Sequence, residues 1–273
     1  MNNITYIIPA RIESNDRLRN ITTSVSYLLR KFPEARVIVK EVDKEPIFSQ
    51  YALPTIETIV DTKNLQYIYE KNTDDLFHKT RILNDLILEA DTEIVASHDV
   101  DVVYPVESHI TAYNMINSGE FDVVYPYGCG VYQYQVVYPE KLYEMFLNSN
   151  FDIRLLLGSC ATQASTIGWT QFYNRNKVIE GFMWNENFIS WGAEDCEFYF
   201  RLSSFGFNVG RVMSDIYHFE HGRTFNSHYH NPKFADNHNL WQRIRTWDSS
   251  KLKAYYEQQD YLKNRGEKIN VSI

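Results

Sequence analysis

Residues 93–101 read EIVASHDVD, and this stretch decides the fold. Glu93–Ser97 is a short apolar run of strand type that passes directly into His98, Asp99, Val100 and Asp101. Side chains alternate along an extended chain, so Asp99 and Asp101 are expected to point the same way. Two carboxylates side by side at a strand end repel unless a cation bridges them. Oxygen ligands suit manganese or magnesium, which keep open positions for phosphate oxygens.

Upstream of that stretch the order is regular. Ile4–Ile8 reads as a buried strand ended by Pro9, and Leu18, Ile21, Val25, Leu28 and Leu29 recur at helical spacing. Ala35–Val42 is a second strand, with Ile56–Val60 and Leu65–Tyr69 as further short strands. Asn72–Asp75 offers N-cap chemistry for a helix through Ala90. Strand–helix–strand–helix–strand order predicts an α/β fold, a mostly parallel central sheet with helices on both faces. Ligands of such sheets gather beyond the carboxyl ends of the strands, where Asp99 and Asp101 lie.

Downstream, helices are expected at Ser108–Ser118, from Pro139 to about Asn148 and from Ala193 to Gly206. Phe121–Tyr127, Ile167–Asn174 and Val209–Tyr217 read as strands. A helical C-terminal extension runs from Asn239 to about Asn264. With no repeat and no Gly/Ser linker, one continuous domain is expected over 1–273. Its parts are a nucleotide-sugar half (1–105), an acceptor and metal half (106–235) and a helical tail (236–273).

Composition narrows the function. The 273 residues carry 27 Lys+Arg against 35 Asp+Glu, a formal net charge of −8, which gives no general attraction for nucleic acid or an anionic membrane. An anionic substrate would need a local cation. Cys129, Cys160 and Cys196 form no CxxC pair, so a reducing compartment is the default. The first apolar run is too short for a signal or membrane segment, so a cytoplasmic location is expected, with peripheral membrane contact through the acceptor left open. The 20 Tyr, 16 Phe and 5 Trp serve packing in the first instance and a ring-stacking site in the second.

Three more clusters could carry chemistry. Trp191-Gly192-Ala193-Glu194-Asp195-Cys196-Glu197 is an acidic helix start, and also a turn where an indole can stack on a sugar while a carboxylate accepts a hydroxyl proton. His218-Phe219-Glu220-His221-Gly222-Arg223 places two histidines three apart, either core or surface residues or a metal pair. His228, His230 and His238 follow as solvent-facing or phosphate-contacting residues. Pro9-Ala10-Arg11 closes the first strand, where Arg11 is either an ordinary surface residue or a phosphate ligand.

The series IIPAR (7–11), FHKTRILNDLILEA (77–90), SHDVDVVYP (97–105), WGAEDCEFYFRLSSFG (191–206) and HFEHGR (218–223) resembles the GT-A-fold glycosyltransferases. It is most similar to the β-1,4-galactosyltransferase family and related bacterial capsule-type galactosyl- and N-acetylgalactosaminyltransferases. The resemblance implies a metal-dependent inverting transfer of a hexose (galactose, N-acetylgalactosamine or glucose) from a UDP-sugar to a glycan or glycolipid hydroxyl. It implies Asp195 as general base and Trp191, Gly192, Glu194 and Asp195 on the acceptor. Asp101, His218 and His221 would hold Mn2+ or Mg2+, and Pro9, Arg11, Arg81, Asn84, Asp99, Asp101 and Gly168 would border the donor. Ala193 and Cys196 depart from the family's glycine and aspartate, and His218 stands where vertebrate members carry a thioether. A retaining GT-A transferase is the alternative, a metal-dependent phosphohydrolase a weaker one, and the strand–helix order argues against a carbohydrate-binding module.

Overall fold

The computed structural model describes residues 1, 3–137, 139–162 and 167–266. The first half follows the expected alternation: β1 (Ile4–Ala10), α1 (Asn15–Lys31), β2 (Arg36–Asp43), α2 (Leu53–Ile59), β3 (Leu65–Lys71), α3 (Lys79–Glu89) and β4 (Ile94–His98). Next come β5 (Val102–Val103), α4 (Val106–Asn117), β6 (Val123–Tyr125), β7 (Gln133–Val136), α5 (Pro139–Asn148), β8 (Cys160–Thr162) and β9 (Thr170–Asn174). The chain closes with α6 (Arg175–Glu180), α7 (Glu194–Ser204), β10 (Val209–Arg211), β11 (Ile216–Phe219), α8 (Phe234–Ile244), α9 (Ser249–Tyr256) and α10 (Asp260–Lys263).

Seven strands form the central sheet in the order β10-β6-β9-β4-β1-β2-β3. Only β9 runs against its neighbours there, antiparallel to both β4 and β6. β1 and β4 are buried along their whole length, as strands covered on both faces must be, which is why both read as nearly unbroken apolar runs. Ser14 caps α1 by accepting from the Arg17 amide.

A smaller sheet, β5-β11-β7-β8, lies beside the carboxyl end of β4. Its β5 pairs antiparallel with β11, setting His218 opposite Val102. The buried Asn20 of α1 fixes this sheet by donating to the Phe219 carbonyl at 3.2 Å.

Several local expectations change. Of the expected strand Ile56–Val60, residues 56–59 are helical and Val60 is the extended residue that ends the helix. Pro54 suits a first helical turn, and Ile56 is buried between exposed Thr55 and Glu57. Asn72–Asp75 does not cap α3. Asn72 and Asp74 instead accept from the amides two residues on, forming turns, and the helix begins at Lys79. Val209–Tyr217 divides into β10 and β11, which belong to different sheets. The C-terminal extension breaks into α8, α9 and α10, because Asp248 caps a new helix by accepting from the Lys251 amide. Residues 267–273 of the expected tail lie outside the described residues.

The extension packs on α7 through a second apolar cluster of Phe188, Leu240, Ile244, Leu252 and Tyr256. Beneath it, Arg201 pairs with Glu197 at 2.8 Å, both fully buried, and the Tyr256 hydroxyl donates to Glu197. The helix whose first turn carries Glu194 and Asp195 is therefore clamped from below.

Candidate active site

Three chain crossings meet at the end of β4. The Asp99 amide donates to the Trp169 carbonyl at 2.9 Å, fixing the start of β9 beside the Asp99–Asp101 turn. The Phe219 amide donates to the Asp101 carbonyl at 2.7 Å, fixing the end of β11 to the same turn. The first turn of α7 then comes up beneath Gly168. One pocket joins all three.

Asp101, His218 and His221 form a buried cluster whose ligand atoms lie within 4.8 Å of one another. His221 Nε2 is 3.2 Å and His218 Nε2 3.5 Å from the two Asp101 oxygens. The outer nitrogens are engaged elsewhere: His218 Nδ1 meets Gln135 Oε1 at 3.0 Å, and His221 Nδ1 meets the Gly222 carbonyl at 2.9 Å. Donation by each Nδ1–H leaves the Nε2 lone pair facing the carboxylate, the arrangement that orients histidine for a metal. Burial pulls the His218 imidazole down to about 4 against the attraction of Asp101. Burial would raise Asp101, but His218 and His221 outweigh it and hold that carboxyl well below the usual range. At neutral pH Asp101 is thus an anion and His218 a neutral donor, and the set fits a divalent cation. The Trp169 ring stacks on His218 at 5.2 Å and closes one side.

Asp99 does not face that cluster. It pairs with Lys79 Nζ at 2.9 Å, and the Asp99–Asp101 segment is a turn in which the alternation of a strand no longer applies. Burial raises the Asp99 carboxyl to about 6 against the pull of Lys79, with Asp101 adding to the rise. Lys79 is the residue that sequence reasoning missed. Burial disfavours its charge, yet Asp99, Asp195 and Glu194 together hold its ammonium firmly protonated. Five carboxylates in the lining stand against Arg11, Arg17, Lys79 and Arg223.

Asp195 sits against the backbone of Gly168. A Cβ there would lie 2.0 Å from Asp195 Oδ2, and Gly168 has φ +125, so only glycine allows this approach. Asp195 Oδ1 is enclosed and has no hydrogen-bond partner among the described residues. Burial raises its carboxyl well above the usual range, against Lys79 and with Glu194 and Asp99 adding to the rise. Glu194 accepts from the Gly192 amide at 2.8 Å and so shapes the Trp191 turn. That turn holds Ser190 at φ 60, Gly192 at φ 124 and Ala193 at φ 68. Trp191 lines the pocket and stacks on Phe234 of α8 at 5.6 Å. Asn237 grips the turn by donating to the Trp191 and Ile189 carbonyls.

Pro9 and Arg11 also line the pocket, but Arg81 and Asn84 do not. Arg81 forms a two-bonded pair with Glu70 on β3. Asn84 ties α3 to the Trp184 backbone in both directions, at 2.9 and 2.8 Å. At about 100° per residue, a helix that points Lys79 into the site turns Arg81 to the other side.

Residues 167–223 match the family described as the N-terminal domain of galactosyltransferase. The arrangement of the whole chain is similar to the mannosyltransferase PcManGT from Pyrobaculum calidifontis, solved with GDP-Man and Mn2+, with a TM-score of 0.57 at 14% identity over 99% of this chain and 73% of that one. The chain has the GT-A glycosyltransferase fold. The Staphylococcus aureus protein TarS (1–349), solved with UDP-GlcNAc, shares this GT-A fold with a TM-score of 0.59 at 15% identity over 89% of this chain, which spans 65% of that fragment. The catalytic domain of Drosophila β1,4-galactosyltransferase 7, solved with xylobiose, does so with a TM-score of 0.50 at 13% identity over 90% and 82% of the two chains. No curated protein matches the chain by sequence. The family-matched segment includes Gly168, the Trp191 turn, Asp195 and both clustered histidines. No helix among the described residues of this GT-A chain is long and apolar enough to cross a membrane.

Proposed function

We propose that the chain is a metal-dependent, inverting glycosyltransferase that moves a hexose from a UDP-sugar to a glycan hydroxyl, with Asp195 as general base. The observation that carries this reading is the Asp195 carboxylate, enclosed under Gly168 with one oxygen unpartnered, in the pocket that also holds Asp101, His218 and His221.

Asp101, His218 and His221 would hold Mn2+ or Mg2+, which when bound supplies Lewis-acid charge against the diphosphate. Arg17 and Arg223 stand close enough for their charges to lower His218, so the protein adds cations of its own on the diphosphate side. Pro9 and Arg11 border the nucleotide in this reading, and Gly168 the donor sugar. Trp191 presents its indole to the acceptor, with Gly192 giving the turn its shape. Asp195, with its raised proton affinity, takes the acceptor hydroxyl proton as that oxygen attacks the anomeric carbon.

A retaining mechanism by double displacement needs a free carboxylate nucleophile on the donor side. Lys79 pairs with Asp99 and the two histidines face Asp101, so neither carboxylate is a free nucleophile for covalent double displacement. Galactose, N-acetylgalactosamine and glucose remain the donor candidates.

UDP release, followed with Mn2+ and each UDP-sugar in turn, tests the proposal. Asp195→Asn should lower turnover by about 10²–10⁴-fold while UDP and Mn2+ still bind. Normal turnover by that variant would remove Asp195 as the base.

A further inference from the structure

Gly168 stands just ahead of β9, outside its ladder, so its amide must find an acceptor elsewhere. The acceptor is the Tyr127 hydroxyl, at 3.1 Å and buried, from a residue 41 positions earlier in the chain. The charge of Asp195 is felt at the same phenol. Tyr127 is fully buried, and its ring tilts against Trp169 with centroids 5.8 Å apart. Trp169 in turn stacks on His218 at 5.2 Å.

Tyr127 is itself held. It follows β6, and Arg211 of β10 donates to its carbonyl at 2.9 Å. The same guanidinium stands 5.4 Å from the Tyr127 ring centre and 4.6 Å from that of Tyr125. The next residue, Gly128, donates its amide to the Ser214 carbonyl at 2.8 Å. A side chain gripped in this way reaches both ends of the pocket through its neighbours. Packing alone asks only for the ring, because a buried hydroxyl is favourable only where it is bonded. Here it is bonded to the amide of the glycine that lies against Asp195, where a Cβ would come within 2.0 Å of the carboxylate. We propose that Tyr127 is a positioning residue with two separable parts. Its hydroxyl holds Gly168 at the approach that Asp195 needs, and its ring seats Trp169 against His218 in the metal cluster. This rests on the transferase reading of the pocket and adds to it a residue that touches neither substrate nor metal.

Two substitutions separate the parts: Tyr127→Phe removes the hydroxyl and keeps the ring, whereas Tyr127→Leu removes both. Two readouts need no turnover, namely hydrogen exchange of the Gly168 amide by NMR and Mn2+ affinity by calorimetry, both on the full chain with UDP present. In Tyr127→Phe the Gly168 amide should exchange about tenfold faster or more, while Mn2+ affinity stays within about twofold. Its kcat for UDP release should fall about tenfold at an unchanged donor KM. Tyr127→Leu should share the faster exchange and also bind Mn2+ about tenfold more weakly. Should Tyr127→Leu not fold, Tyr127→Met carries the same Mn2+ expectation. The proposal is overturned if Tyr127→Phe keeps slow exchange or full kcat, if it loses Mn2+ affinity together with kcat as a general loosening would, or if the variant without the ring binds Mn2+ as the unaltered chain does. Absence of UDP release from every donor with the unaltered chain would sink the transferase reading, and the exchange and Mn2+ results would then decide the role of Tyr127.

Discussion

Substituting Gly168 by alanine probes the base without touching it chemically. The added Cβ would lie 2.0 Å from Asp195 Oδ2, and ordinary contact begins at 3.4 Å. The carboxylate must therefore retreat by about 1.4 Å, or the backbone just ahead of β9 must give way. A displacement of about 1 Å in a positioned group can cost about 10²-fold in rate. The φ of +125 lies in a region essentially kept for glycine, a strain of about 1–3 kcal/mol on top of an overpacking cost of about 1–3 kcal/mol. Gly168→Ala should thus unfold several degrees earlier by circular dichroism, and its rate of UDP release at saturating donor should fall by about 10²-fold. The decisive measurement is the same substitution made in Asp195→Asn. If Gly168 acts through the carboxylate, the second change should add little to the rate loss, because the two residues work as one unit. Full turnover by Gly168→Ala, or equal losses in both backgrounds, would refute the reasoning.

Two further outcomes follow from the geometry. Gln135→Leu removes the acceptor that orients His218, so Mn2+ affinity by calorimetry should weaken by about 10–100-fold; unchanged affinity would remove Gln135 from the metal's support. Arg81→Ala should leave the donor KM within about twofold, because Arg81 pairs with Glu70 away from the pocket; a large rise in KM would restore it to the donor site.

The sequence carried most of the fold wherever local pattern and tertiary context agree. β1, β2 and β4 are buried on both faces and read as apolar runs, and α5 spans Pro139–Asn148 as its opening proline suggests. The β4 end and the two histidines were legible because each stands at the end of a strand. Less visible was what joins them, since the β5–β11 pairing links residues more than 100 positions apart. β10 and β11 ran together as one strand because nothing local says that the chain leaves one sheet for the other. Lys79 stayed hidden within a motif whose neighbours Arg81 and Asn84 drew notice, although its position at the head of α3 was the available signal. The role of Gly168 shows only where α7 rises beneath it, a contact no local pattern records.

The stereochemistry of transfer is the most direct test of the central claim. With Mn2+ and an α-linked UDP-hexose, proton NMR of the freshly formed glycoside should show a β-anomeric coupling, the outcome of one displacement assisted by Asp195. An α-linked product would contradict the account and require a mechanism in which Asp195 is not the base for direct attack.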